Sequence, residues 1–318
     1  MYYVGVDIGG MSIKTGIVSE DGKILYSSVI KTEKISAKEQ IKKLSEDIFK
    51  LLSDNNISKS EIYGIGVGCP GSILAKDGHV NFSNNLGWVD FPLKRILEDL
   101  TGIKVRVAND ADSATIGEIV FGDYKNYSNV ILLTLGTGVG GGIVINKKLY
   151  QGTNGSVAEL GHVVLRPNGI KCNCGRRGCL ENYASATALI RQTKESMKKN
   201  KNSKMWQYAN GSLDGVDGKT AFLSAKSGDK PAKAVVKRYV NYLAEGLLNY
   251  CNIFRPDAII LGGGISKEGK YLTDMVKNYL IAHNYGYPGS PQSEVFIASL
   301  GNNAGILGAA SLIAEGLN

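Results

Sequence analysis

The chain has 318 residues, 43% hydrophobic and 21% charged, the composition of a globular protein long enough for two domains with separate cores. Its formal net charge of +8 lies in scattered lysines and one run at 198–204 (KKNKNSK). No basic stripe interleaved with aromatics accompanies it, so the charge describes a solvated surface that suits a small anion and sets nucleic-acid and membrane partners aside.

The opening MYYVGVDIGG has no basic leader and no cleavage site, so a cytoplasmic protein is expected. Residues 2–8 are an apolar strand ending in Gly9-Gly10. A second strand at 13–18, a turn at 20–23 and a third strand from Ile24 complete a meander with a glycine-rich first turn. Ile41, Leu44, Ile48, Leu51 and Leu52 have helical spacing within 37–52. A buried strand at 62–67 ends in Gly68-Cys69-Pro70-Gly71. A helix at 91–100 and a strand at 105–107 follow, and that strand delivers Ala108-Asn109-Asp110 to the start of a helix at 111–120.

The second half opens alike. A strand at 130–135 ends in Gly136-Thr137-Gly138, a return strand runs over 141–145, and Asn146-Lys147-Lys148 turns the chain. The uncharged stretch 126–146 holds five glycines and reads as strand–turn–strand, not as a membrane span. Strand, glycine turn, strand, polar turn thus occurs twice, the mark of a duplicated α/β unit. Helices at 184–198 and 232–253, a strand at 258–261 ending in Gly262-Gly263-Gly264, and a last helix at about 304–315 finish the pattern.

Gly136-Thr137-Gly138-Val139-Gly140-Gly141 fits G-x-G-x-x-G, but Ile143, Val144 and Ile145 follow it as a strand. The helix that a dinucleotide fingerprint needs is missing, and so is a phosphate loop of the G-K-[ST] type. Glycine turns at strand ends still present backbone N–H groups to an anion. Gly9, Gly10 and Ser12 form one such set, Gly136, Thr137 and Gly138 a second. Gly263 and Gly264 offer a flat surface for a purine or ribose. Any one of these could be a plain tight turn; three at strand ends point to a nucleotide. The arrangement resembles the actin, heat-shock-70 and hexokinase superfamily, an α/β fold of two duplicated actin-like (ribonuclease-H-like) domains with ATP in the cleft between them. The resemblance implies Asp7 near metal-bound phosphates, and Ser12 and Lys14 beside the turn DIGGMSIK. Met11 stands where relatives usually carry Thr.

Five cysteines are an odd number, and three of them crowd into Cys172, Cys174 and Cys179 beside Glu159-Leu160-Gly161-His162. One His and three Cys make a complete tetrahedral soft-ligand set for a structural zinc ion. Cys69 and Cys251 read as buried thiols. The string Cys172-Asn173-Cys174-Gly175-Arg176-Arg177-Gly178-Cys179-Leu180-Glu181 matches the ROK motif C-x-C-G-x-x-G-C-x-E at every fixed position, and the chain is identified as a member of that family by resemblance.

Membership implies ATP-dependent phosphorylation of a hexose hydroxyl with Mg2+, D-glucose being the first candidate ahead of N-acetylmannosamine, fructose or a β-glucoside. Asp110 resembles the family's catalytic base in N-D-A; on its own it could equally cap the following helix. Asp112 reads as a first-turn residue without chemistry. Gly71, Asn85, Asn109, Asp110, Glu159, His162 and Glu181 are the implied sugar contacts, His162 also holding zinc, and Trp88 reads as core. Expected domains are 1–118 and 119–302, with a helix at 303–318 packing back on the first, in a homodimer or homotetramer. A sugar-sensing repressor of the same family is the alternative. It would carry a helix-turn-helix module ahead of the first strand, for which a strand at Tyr2 leaves no room, and it could dispense with Asp110.

Overall fold

The computed structural model describes residues 1–74, 76–153, 155, 157–286 and 291–315. The chain forms two compact units, Met1–Ser128 with Gly142–Ala158 and Ser299–Asn318, and Asn129–Gly141 with Glu159–Ala298. The segment 142–158 belongs to the first unit, a division that a boundary at 118/119 does not anticipate.

In unit 1, strands β1 (Tyr2–Ile8), β2 (Ser12–Ser19) and β3 (Ile24–Lys31) form the antiparallel meander, and β4 (Ile62–Cys69) lies parallel to β1. Helix α1 (Ala37–Asp54) starts at Ser36, whose hydroxyl accepts the Glu39 N–H while Glu39 returns to the Ser36 N–H, a reciprocal cap that satisfies two orphan donors. Its Ile41, Leu44, Ile48 and Leu52 fall on one face and are buried with Val4, Val6, Ile65 and Val67 of the sheet.

Between β4 and the next long strand lies a feature absent from the sequence reading, a small antiparallel sheet of β5 (Ser72–Leu74), β6 (His79–Ser83) and β7 (Trp88–Phe91). Phe91 therefore ends a strand, and helix α2 (Leu93–Thr101) begins only after Pro92. Trp88 is buried against Phe91, ring centroids 5.2 Å apart. Strand β8 (Val105–Asn109) completes the five-stranded sheet and feeds helix α3 (Asp110–Val120).

The second sheet contains β9 (Val130–Leu135), β10 (Val139–Ile145), β11 (Lys148–Leu149), β12 (Ala258–Gly262) and β13 (Glu294–Ile297). Its order, β11-β10-β9-β12-β13, matches β3-β2-β1-β4-β8 position by position. In both sheets the last two strands run parallel to the first strand of the repeat. The duplication read from the glycine turns is thus one of whole sheets.

In unit 2 the helix expected at 184–198 breaks at Ser185 into α4 (Glu181–Ala184) and α5 (Ala186–Lys199), because the Ser185 hydroxyl caps the second piece at the Ala188 N–H. Helices α6 (Met205–Tyr208), α7 (Thr220–Lys226), α8 (Lys230–Phe254) and α9 (Lys270–His283) complete this unit. Asp229 caps α8, and the Tyr239 hydroxyl from its buried face donates to the Ala184 carbonyl at 2.7 Å.

Helix α10 (Ala304–Ala314) belongs to unit 1; residues 316–318 of the expected helix lie outside the described residues. It rests against the backbone of β1 and β4. Gly5 and Gly66 pair in register, and a Cβ at either would run into the carbonyl of Ile306 or Ala309. The buried Glu118 of α3 pins the approach to this helix, accepting the Ser299 N–H, the Ser299 hydroxyl and the Leu300 N–H at 2.6–3.0 Å. Among the described residues no helix is long and apolar enough to cross a membrane.

Candidate active site and metal centre

The residues expected to act divide between the two units. In unit 1, β8 ends in Asn109, and Asn109 is the cap of α3: its side-chain oxygen accepts the Ala111 N–H at 2.8 Å, and its amide donates to the Gly71 carbonyl at 2.9 Å. Asn109 therefore fixes the residue after it against the turn at Gly71, where φ is +117° and a Cβ would meet Phe82 and Ser83. The capping role open to Asp110 from sequence is largely taken by its neighbour. Asp110 shares the Ala111 N–H at 2.9 Å and otherwise lies in a recess open to solvent.

Burial by the surrounding chain raises the Asp110 carboxyl above the usual carboxylate range, with the charge of Asp7 adding to the rise and the Ala111 N–H opposing it. Asp7 is raised too, by burial first, while Lys14 Nζ at 3.7 Å pulls it down. Two carboxyl groups that sense each other beside a single lysine form a place that welcomes a cation. A hard oxygen donor such as Asp7 suits Mg2+, which keeps most of its waters. Gly305 on α10 presses on Asp7: a Cβ there would collide with its carboxylate. Sequence reading missed this contact, although the small residues Ala304, Gly305, Gly308, Ala309 and Ala310 were a signal of close backbone packing.

In the first glycine turn the Gly9 N–H, expected as a donor to an anion, is taken up inside the turn itself. The Gly9 N–H closes on the Ser12 carbonyl at 2.9 Å, and Thr32 ties in the Gly9 and Met11 carbonyls. Among the described residues the N–H groups of Gly10 and Met11 have no acceptor. Met11 is 86% exposed, so the turn offers backbone donors whatever side chain occupies that position. Asn85 stands in the turn between β6 and β7, with its backbone beside Gly10.

In unit 2 the second turn also closes on itself, over one residue fewer. The Gly136 N–H closes on the Gly138 carbonyl at 3.0 Å, and the N–H groups of Thr137 and Gly138 have no acceptor among the described residues. The remaining carbonyls are held from behind, Gly136 by the Ala186 N–H and Thr137 by the Thr187 hydroxyl, each at 2.8 Å. Paired open N–H groups in a rigid turn are an anion-binding concavity. Gly263, at φ +82°, lies so close to Leu135 that a Cβ would come within 2.6 Å of its backbone, which sets the loop at 262–264 against the end of β9. Gly218 comes up against Ile265 beside that loop, and the residues after it open α7 on the Asp217 carboxylate.

His162, Cys172, Cys174 and Cys179 come together: their ligand atoms all lie within 4.8 Å of one another. The Cys172 Sγ–His162 Nδ1 and Cys174 Sγ–Cys179 Sγ separations are both 3.6 Å. Zn–S bonds of about 2.3 Å and Zn–N bonds of about 2.0 Å in a tetrahedron require edges of roughly 3.5–3.8 Å, and these two edges have that length. Gly175 (φ +91°) and Gly178 (φ +82°) let the loop double back. The Tyr250 hydroxyl anchors the turn carrying His162 by donating to the Leu160 carbonyl.

Glu181 begins α4 two residues after Cys179, and its carboxylate accepts the Val139 N–H at 3.0 Å. The residue expected at the sugar is thereby bonded to the glycine turn, a link of 42 positions that no local pattern reveals. A Cβ at Gly138 would strike this carboxylate. Gly138→Ala is expected to displace it and raise the KM for ATP about tenfold, a loss of ~1.4 kcal/mol, which steady-state kinetics would show; an unaltered KM would separate the two groups. Glu159 is exposed and makes no capping bond. Cys69 and Cys251 are buried as expected.

Sheets with this duplicated order, each ending its first hairpin in a glycine turn, define an actin-like ATPase fold. The chain belongs to the ROK family, whose profile matches residues 3–315. It is 40% identical to a glucokinase of Thermotoga maritima, covering 98% of this chain and 97% of that one. It is 38% identical to a glucokinase of Halalkalibacterium halodurans, covering 99% and 95%. The crystal structure of a ROK family glucokinase from Streptomyces griseus in complex with glucose and AMPPNP superposes with a TM-score of 0.81 at 34% identity, covering 99% of this chain and all of that one.

Proposed function

We propose that this protein transfers the γ-phosphoryl group of ATP to a hydroxyl of D-glucose, giving glucose 6-phosphate, in the cytoplasm at the entry to glycolysis. The observation that carries the reading is Asp110. It is a carboxylate held by the Asn109–Gly71 latch, in a chain similar to glucokinases along nearly its whole length.

Asp110 takes the proton of the attacking hydroxyl, and its raised pKa brings it closer to the task of a base. The open N–H groups of Gly10, Met11, Thr137 and Gly138 hold phosphate oxygens, with Lys14 adding charge. Gly263 and Gly264 border the nucleoside. Gly71, Asn85, Asn109, Glu159, His162 and Glu181 recognise the sugar. Asp7 would hold Mg2+ through water, and that ion neutralises phosphate charge when bound. His162, Cys172, Cys174 and Cys179 would supply all four ligands to a zinc ion, which would shape the pocket and leave the chemistry to the carboxylate.

A coupled assay of ADP release with glucose, mannose, fructose and N-acetylmannosamine tests the proposal. The highest kcat/KM is expected with glucose. Release stimulated by none of the four would overturn the kinase reading in favour of a sugar sensor.

A further inference from the structure

We propose that unit 2 carries a separate anion site, an arginine-lined cavity beside the cysteine loop that takes a small phosphate monoester. The cavity measures about 520 Å³ and gathers Arg166, Arg177, Arg191 and Arg238 around Tyr183 and Tyr242. Half of the chain's eight arginines therefore line one depression, and Glu195 is the single carboxylate in its wall. The size falls within the range of small-ligand pockets, about 300–1,000 Å³.

Three of the four charges are left uncompensated. Glu195 sits 3.9 Å from Arg191, while Arg166, Arg177 and Arg238 form no ion pair among the described residues. Neutral acceptors orient the guanidinium groups instead. Arg238 Nε donates to the side chain of the buried Gln192 at 3.0 Å, Arg166 donates to the Tyr242 hydroxyl at 3.2 Å, and Arg191 donates to the Asn182 carbonyl. A neutral partner positions a fork without cancelling its charge, and an oriented planar fork is what bidentate binding of a phosphate requires. Four like charges converging from the cysteine loop, α5 and α8 raise one another's energy until an anion enters. None of these arginines belongs to the proposed catalytic or metal set.

The surrounding bonds lead into the cysteine loop. The Tyr183 hydroxyl in the cavity wall accepts the Ile170 N–H at 3.0 Å, the Ile170 carbonyl accepts the Gly178 N–H at 2.8 Å, and the Gly178 carbonyl takes the Arg166 N–H at 3.1 Å. The same loop thus contributes both ligands for the metal and walls for the anion.

Isothermal titration of the metal-loaded protein with glycerol 3-phosphate, inorganic phosphate and citrate tests the site without reference to kinase activity. Saturable, salt-sensitive binding of the two phosphates is expected. Arg191→Gln/Arg238→Gln should weaken it at least about tenfold, with glucose turnover in phosphate-free buffer unchanged. Arg238→Lys, which keeps the charge and loses the fork, should also bind less tightly and covers the case of a double variant that does not fold. Absence of phosphate binding, equal binding by the variants, or binding of citrate alone would overturn the proposal.

Discussion

Asp110→Asn is expected to lower kcat by roughly 10²–10⁴-fold, the contribution of a positioned general base, while glucose affinity measured by equilibrium titration should stay close to that of the parent. The substitution keeps size and shape, and the amide oxygen still accepts the Ala111 N–H that the carboxylate accepts at 2.9 Å. Only the ability to take a proton is removed. The pH profile gives a second reading. Burial and the nearby Asp7 raise the Asp110 pKa in the folded protein, so the base is ionised and active above that raised value and becomes protonated as pH falls through it. The acid limb of kcat/KM should therefore lie above the usual carboxylate range in the parent and disappear in Asp110→Asn. Retained turnover with an unchanged acid limb would take Asp110 out of the mechanism.

Cys174→Ala is expected to lose zinc and glucose affinity together. Cys174 is exposed, so truncation sacrifices little packing, and a loosened fold would report the metal instead. With one of four ligands gone, a closed structural site loses much of a binding energy that is of order 10–16 kcal/mol in small zinc peptides. Elemental analysis after gel filtration should find well below one zinc per chain, against about one in the parent. The glucose KM should rise about tenfold or more, since His162 loses the ion that orients it, and the melting temperature should drop by several degrees. Unchanged metal content in the variant would refute the ligand set.

The parts of this fold that could be read from the chain were those with strong local chemistry. Strands β1 and β9 declared themselves through largely apolar stretches followed by glycine, and α1 through its period and its Ser36–Glu39 cap. The metal set was legible because its residues crowd into one short segment, and His162 joins them as the motif implied. What stayed hidden depends on contacts between distant positions. The sheet β5–β6–β7 has strands of three to five residues, and Phe82 and Val89 are exposed on it at 50% and 66%, so no inward alternation advertises it. Ser185 breaks a stretch that reads as continuous helix because its hydroxyl caps the second piece, and propensity alone says little about one such residue. The bond from Glu181 to Val139 and the pressure of Gly305 on Asp7 exist only once the chain has folded.

Helix α4 is four residues long, yet its first carboxylate reaches the turn at 136–139 while the residues just before it belong to the cysteine cluster. So short a rod has no slack. On the proposed function, a shift of the thiol loop would reach through Glu181 both the glycine turn bonded to it and the sugar, and the two substrates would cease to be independent variables. Scarcity of the ion in the cell would then act as a throttle on both at once.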